Sequence, residues 1–385
     1  MRFRNLVILA VITVVVIVAA SVVSYLNAPA TAIHTKLLFP GLEKKINDVS
    51  AVEIRDSGNT LDLVKKDGTW TIAQADNYPA LFDKVKPLIV NMAELRVVEK
   101  KTSTPSLYPR LGVEDLDARG STSHLLTLKD ATGKALATLI VGKKQKSAAP
   151  GDTRGVYVRQ PDSKQSLLVE GNLPVSSRVE DWFKKNLFNI NSDRIESIQI
   201  DHPGGQEVSL SRQNGNDKFT LANIPKDSKP KSDVLLYRMS SILSGIYAQN
   251  VKAVANYQFP DDHATATIRT FDGLVATVQA AAADGRNYVH YHFDVDASKL
   301  KKPAESSSSK DKGAADKKAS ADAETDKPDV RKEAAKYNKT LADWVYTIPE
   351  YKYDLLVETM GNLTQPKAKE KTSSKDKPAP GKTRG

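Results

Sequence analysis

An unbroken apolar run over residues 6–26 opens the chain, preceded by Arg2 and Arg4. Its roughly 21 residues reach about 31 Å as a helix, the depth of a bilayer's hydrocarbon core, so a single N-terminal transmembrane anchor is expected there. No basic cluster follows the run at once. The positive-inside rule therefore keeps residues 1–5 cytoplasmic and sends everything after Asn27 across the membrane. A cleaved signal peptide competes with this reading, because Ala28-Pro29-Ala30 and Ala30-Thr31-Ala32 resemble small-residue cleavage sites. The apolar core of such a peptide is shorter, about 7–15 residues, which favours the anchor.

Past the anchor the period drops to two. VSAVEIR and TLDLVKK alternate across residues 49–66 and are joined by Asp56-Ser57-Gly58-Asn59, which predicts a β-hairpin. Asp67-Gly68 then turns the chain into a short strand on which Trp70 and Ile72 share a face. After Asn77-Tyr78-Pro79, the residues Leu81, Phe82, Val85, Leu88, Ile89, Met92 and Leu95 recur at three- and four-residue steps. That stripe predicts an amphipathic helix with Pro79 in its first turn. Strands are expected at 125–129, 135–141 and 155–159, and the section closes on Asp181-Trp182-Phe183.

The same order then returns. Segments 194–200 and 206–212 resemble the first hairpin, Phe219 stands where Trp70 stood, and Ser232-Asp233 caps a helix striped by Val234, Leu235, Met239, Ile242, Leu243, Ile246 and Val251. Strands at 264–271, 274–281 and 288–293 follow, and Asp343-Trp344 echoes Asp181-Trp182. The expected fold is α+β: two tandem similar domains, 42–190 and 191–363, each an antiparallel β-meander with one main amphipathic helix. Between 298 and 336 large apolar residues almost vanish, so a disordered insertion is expected, and a second such tail over 366–385.

Charge sharpens this division. Lys and Arg number 56 against 46 Asp and Glu, a net +10. Residues 299–339 hold 12 basic and 8 acidic residues, and 366–385 hold 7 and 2, so with Arg2 and Arg4 the excess lies in tails and insertion. The folded segments are close to neutral and no nucleic acid partner is expected. With 0 cysteines, disulfides, thiolate nucleophiles and cysteine-bound zinc or iron–sulfur clusters are excluded.

Several short motifs stand out in combination: Trp70-x-Ile72, Tyr78-Pro79-Ala80, Leu107-Tyr108-x-x-Leu111-Gly112-Val113-Glu114-Asp115, Ile140-Val141-Gly142, Tyr157-Val158-Arg159 and Asp181-Trp182. On these the chain resembles the bacterial family called domain of unknown function 4340, over roughly residues 42–363. The resemblance implies an exported, membrane-tethered protein, in some cases an auxiliary subunit beside ABC exporters of the gliding-motility type. It brings no catalytic residues. The second half departs from the pattern, with Phe219 for tryptophan and neither Tyr-Pro-Ala nor Leu-Gly-Val.

Chemistry is sparse. His290-x-His292 places two imidazoles on one strand face, with His263 about 10 Å away by strand spacing; the opposite face takes Val289, Tyr291 and Phe293, so both histidines are expected to point to solvent rather than to a metal. Gly381-Lys382-Thr383 imitates a phosphate loop, but Asp376 stands at its first glycine. Asp261-Asp262 reads as a turn. Trp70, Trp182 and Trp344 recur at one point of each unit, which argues for packing over stacking on a sugar or peptide. The residues singled out as a structural signature, with a binding role held open, are Trp70, Tyr78, Pro79, Asp181, Trp182, Asp343 and Trp344.

The expectation is a non-catalytic inner-membrane protein with its bulk in the periplasm, no cofactor, and a protein partner in the cell envelope such as an ABC-type exporter. A periplasmic glycan- or peptide-binding module is the alternative. A hydrolase or metalloenzyme would need a pocket joining His124 or His202 to carboxylates.

Overall fold

A computed structural model describes residues 36–145, 155–300 and 329–367. The expected anchor over 6–26 lies outside them, as does all of the basic tail beyond Lys367. Among the described residues no helix is long and apolar enough to cross a membrane. The architecture is α+β, built on antiparallel sheets with few helices.

In chain order the first strands are β1 (Val49–Arg55), β2 (Thr60–Lys66), β3 (Thr69–Ile72) and β4 (Tyr78–Pro79). Helix α1 (Phe82–Glu94), β5 (Arg96–Lys100) and the short helix α2 (Tyr108–Leu111) follow. Then come β6 (His124–Asp130), β7 (Ala135–Lys144), β8 (Val156–Arg159) and β9 (Ser166–Glu170). Contacts divide the described residues into two compact units, the first falling within 1–65 and 82–177 and the second within 66–81 and 178–385. The segment carrying β3 and β4 thus groups with the later part of the chain.

In the first unit the strands run β2-β1-β6-β7-β8-β9-β5. The hairpin β1–β2 closes with Arg55 opposite Thr60, where the Asp56 carboxylate accepts from the Gly58 and Asn59 amides at 2.7 Å each. Alternation places Val52, Ile54, Leu61, Leu63, Leu126 and Leu128 fully inside. Each such side chain contributes about 2 kcal/mol by leaving water. Helix α1 buries Val85, Leu88, Ile89 and Met92, but it begins three residues later than expected. Pro79 lies in β4 opposite Thr71, and Phe82 is exposed at 54%. Strands β6 to β9 follow one another as a meander. Strand β5, which sequence alternation did not reveal, crosses to the far edge beside β9.

The second unit adds β10 (Asn186–Phe188), β11 (Ile195–Asp201), β12 (Glu207–Ser211), β13 (Thr220–Leu221), β14 (Ser228–Pro230), helix α3 (Asp233–Met239), β15 (Ile246–Tyr247) and β16 (Asn250–Ala253). Next are β17 (Ala264–Thr270), β18 (Leu274–Ala283), β19 (Arg286–Val295), helix α4 (Val330–Leu341), β20 (Trp344–Thr347), helices α5 (Glu350–Leu356) and α6 (Met360–Leu363), and β21 (Thr364–Pro366). Its main sheet runs β13-β12-β11-β17-β18-β19-β20-β16.

Three expectations change here. The Ser232 hydroxyl does cap α3, accepting from the Val234 amide at 3.1 Å, but the helix spans seven residues and Val234 is 67% exposed. The apolar stripe continues instead through tight turns, with Gly245 at φ +56°. The stretch 298–336 is not uniformly disordered, because Asp329 caps α4 and Val330, Ala334 and Leu341 bury one face of it. Residues 301–328 lie outside the described part. Finally, the second unit carries more than one main helix, α4 being longer than α3.

Candidate functional site

Two constructions absorb the motif residues. The first lies in the first unit, where Gly112 ends α2 with φ +69° and lets the chain turn into Val113-Glu114-Asp115. Arg159, on β8 and 3% exposed, reaches this turn. Its Nε donates to the Val113 carbonyl at 2.9 Å, Nη1 donates to the Ser163 carbonyl at 3.2 Å, and Nη2 pairs with the Asp115 carboxylate. The guanidinium carbon lies 4.7 Å from the centre of the Tyr108 ring, whose hydroxyl donates to the Lys164 carbonyl at 2.5 Å. Glu114 is buried, and one of its oxygens accepts from the Thr122 amide at 2.7 Å and from the Thr122 hydroxyl at 3.1 Å. Gly142 explains the Ile-Val-Gly triplet, since a Cβ there would lie 2.4 Å from the Leu111 carbonyl oxygen. Only hydrogen permits that approach.

The second construction gathers signature residues within the second unit. Asp76 and Asn77 adopt left-handed conformations, φ +52° and +67°, and the Asp76 carboxylate accepts from the Ala253 amide at 2.9 Å. This turn presents Tyr78, Pro79 and Ala80. The Ala80 amide donates to the Trp70 carbonyl at 2.8 Å and the Leu81 amide to the Trp182 carbonyl at 2.7 Å. The Tyr78 ring meets Trp344 edge-on at 4.7 Å, Phe183 at 5.6 Å and Tyr346 at 6.2 Å. Its oxygen is 3.5 Å from that of Tyr346, which donates to the Thr340 carbonyl at 3.3 Å. Burial raises the pKa of both hydroxyls, so neither serves as a base near neutral pH.

Trp70 and Trp182 are 6% and 2% exposed, while Trp344 is half-buried. Buried rings pack; they offer no open platform for a sugar. Asp181 pairs with Arg178 at 2.7 Å and Lys185 at 3.2 Å. Asp343 is exposed. The two Asp-Trp pairs also differ in place, because Trp344 begins β20 whereas Trp182 ends a 3₁₀ turn after β9. Phe183, already read beside Asp181-Trp182, joins the signature, as do Tyr346 and Asp76, which sequence reasoning passed over. The period-two spacing of Trp344 and Tyr346 was the available signal.

The sequence profile of the family described as domain of unknown function (DUF4340) matches residues 70–269. The chain belongs to this family. The match covers about half of the chain, from the Trp70 segment through β17. No curated protein and no solved structure matches.

The polar residues of this DUF4340 member outside its motifs were the other candidates for chemistry. The first unit has a cleft of about 360 Å³ lined by Thr122, His124, Lys143, Lys144, Leu173 and Val175. Burial lowers the His124 pKa and the nearby Asp56 charge opposes it, but the cleft lining contains no carboxylate. His202 instead makes a 2.9 Å contact with the Glu358 carbonyl. Asp261 and Asp262 form a turn. Among the described residues no three His, Asp or Glu side chains converge as a metal site. Val289, Tyr291 and Phe293 are buried as expected, and His292 is exposed. His290 corrects its expectation: half-buried, it is held by the Ala342 carbonyl at 2.8 Å and faces Gln279.

Proposed function

We propose that this DUF4340 member is a non-catalytic, single-pass protein of the bacterial inner membrane whose extracytoplasmic units dock on a protein partner in the cell envelope. One observation carries the reading: the motif residues turn their polar atoms inward to the fold, all but one buried oxygen of Glu114 finding a partner there. Arg159 serves three backbone carbonyls, those of Val113, Pro161 and Ser163, and Asp115, Tyr108 serves Lys164, and one Glu114 oxygen serves Thr122. A motif used in this way maintains a shape, and a maintained shape serves recognition. The apolar run over 6–26 behind Arg2 and Arg4 supplies the anchor and its orientation. An ABC-type exporter is the preferred partner, on family resemblance.

We further infer that the two sheets descend from one duplicated module. The order β2-β1-β6-β7-β8-β9-β5 matches β12-β11-β17-β18-β19-β20-β16 strand for strand. The register slips between Val49 and Ala51 on β1 and between Ile195 and Ser197 on β11, which is the same step of equivalent strands. Bulges are specific features, so a shared one supports common descent.

Photo-crosslinking groups placed at the exposed Tyr237 and Tyr247, in cells, test the docking reading. A discrete adduct with a membrane transport subunit is expected, and uniform labelling without a discrete adduct overturns it. A periplasm-active reporter fused after residue 40 is expected to be active, and inactivity rejects the topology.

A further inference from the structure

On the second unit's main sheet, two histidines leave a polar arrangement incomplete. His263, just before β17, has Nδ1 2.8 Å from the Pro260 carbonyl oxygen, and His290 on β19 has Nε2 2.8 Å from the Ala342 carbonyl oxygen. A carbonyl oxygen only accepts. Each of these ring nitrogens therefore carries its proton, and the other nitrogen of each neutral imidazole presents a lone pair. Both lone pairs face one side chain: His263 Nε2 is 3.3 Å from Gln279 Nε2, and His290 Nδ1 is 3.4 Å from Gln279 Oε1. The first contact is a long donation from the amide. The second sets an oxygen lone pair against a nitrogen lone pair. Turning the amide over exchanges the two contacts without curing the mismatch, because it offers one donor group and one acceptor. What these groups lack is an electrophile.

We propose that His263 and His290, with the Gln279 carbonyl oxygen, form a binding site for a borderline transition-metal dication such as Zn²⁺. Imidazole nitrogen suits such ions, and metal-binding histidines characteristically donate the remote ring N–H to a backbone carbonyl that fixes tautomer and orientation. Pro260 and Ala342 provide those carbonyls. Gln279 and His290 are direct partners across β18 and β19, so their side chains leave one face side by side. All three residues are half-buried, which lets an ion enter from solvent and complete its shell with water. Occupancy requires the Gln279 amide, which lies against both ring nitrogens, to turn so that its oxygen faces the ion. His292, one step along the same face, is exposed beside Asp294 at 3.5 Å and takes no part.

Calorimetric titration of the tag-free full-length chain with ZnCl₂ at neutral pH tests the site. Saturable binding of a single ion is expected. His263→Ala and His290→Ala each weaken it at least about tenfold, Gln279→His tightens it at least about tenfold by adding an imidazole, and His292→Ala leaves it unchanged. Circular dichroism of each variant separates loss of the site from loss of the fold. Absence of saturable binding by the wild-type chain overturns the proposal, as does equal binding by the His263→Ala/His290→Ala double variant.

Discussion

At Gly142 the absence of a side chain decides the packing. The Leu111 and Gly112 carbonyl oxygens would lie 2.4 and 2.7 Å from a Cβ, and backbone cannot retreat as a side chain can. Gly142→Ala is expected to cost about 1–3 kcal/mol, read as a lower urea midpoint with an unchanged slope. Trp182 tests the opposite error, the removal of volume. With 2% of its surface exposed, its replacement by alanine is expected to cost about 3–5 kcal/mol. An unchanged midpoint would instead assign Trp182 to a binding surface. Asp56 gives the residue scale a pH signature. Burial raises its pKa, but hydrogen bonds from the Ser177 hydroxyl, the Gly58 amide and Asn59 outweigh this and hold it at about 2. The folded value lies below the unfolded one of about 3.9, so its contribution is complete above about pH 4 and is lost as pH falls through 2. Thermal melts of Asp56→Asn between pH 5 and 2 are expected to show a flatter decline than the wild type.

Elements that carry a strong period were legible, and those held by particular partners were not. The hairpin β1–β2 could be read because Asp56-Ser57-Gly58-Asn59 specifies its turn, and α1 because four buried residues share a stripe. Strand β5 reads RVVEK, mostly polar because it is an edge strand with little to bury. Helix α4 hid inside a charged stretch. It is held by its buried face and by Asn338, which bonds the amide and carbonyl of Phe293 on β19 at 2.8 and 2.6 Å, and Arg194, just before β11, pairs bidentately with its Glu333 at 2.7 and 3.0 Å. No periodicity displays such an ion pair. Deleting residues 298–336 therefore removes Val330, Glu333 and Ala334 with their contacts and is expected to cost at least about 3 kcal/mol, measured by chemical denaturation. The signature was legible in the same uneven way. Trp70, Tyr78 and Trp344 were visible as rings, but Asp76 was not, because a carboxylate that accepts from a distant Ala253 amide leaves no local pattern.

At the scale of the whole molecule, sequence order and spatial grouping part company at residues 66–81. The repeat suggests a cut near residue 190, whereas Trp70, Tyr78 and Pro79 group with Trp182, Phe183, Trp344 and Tyr346 in one compact unit. A fragment of residues 191–367 carries the complete order from β11 to β20, yet it lacks the Trp182 and Phe183 rings and the Asp76 carboxylate that accepts from the Ala253 amide of β16. Opening that aromatic group leaves Trp344 and Tyr346 facing water, and each large ring so exposed forfeits about 2–3 kcal/mol. Two such losses approach the net stability of an ordinary domain, about 5–15 kcal/mol. The fragment is expected to exchange its β16 and β20 amides far faster than the intact chain in hydrogen–deuterium exchange, and extension to residue 178 with a peptide of residues 66–81 added in trans is expected to restore protection. Equal protection in the bare fragment would mean that the aromatic group adds nothing to the fold, and its rings would then have to be explained by what they bind.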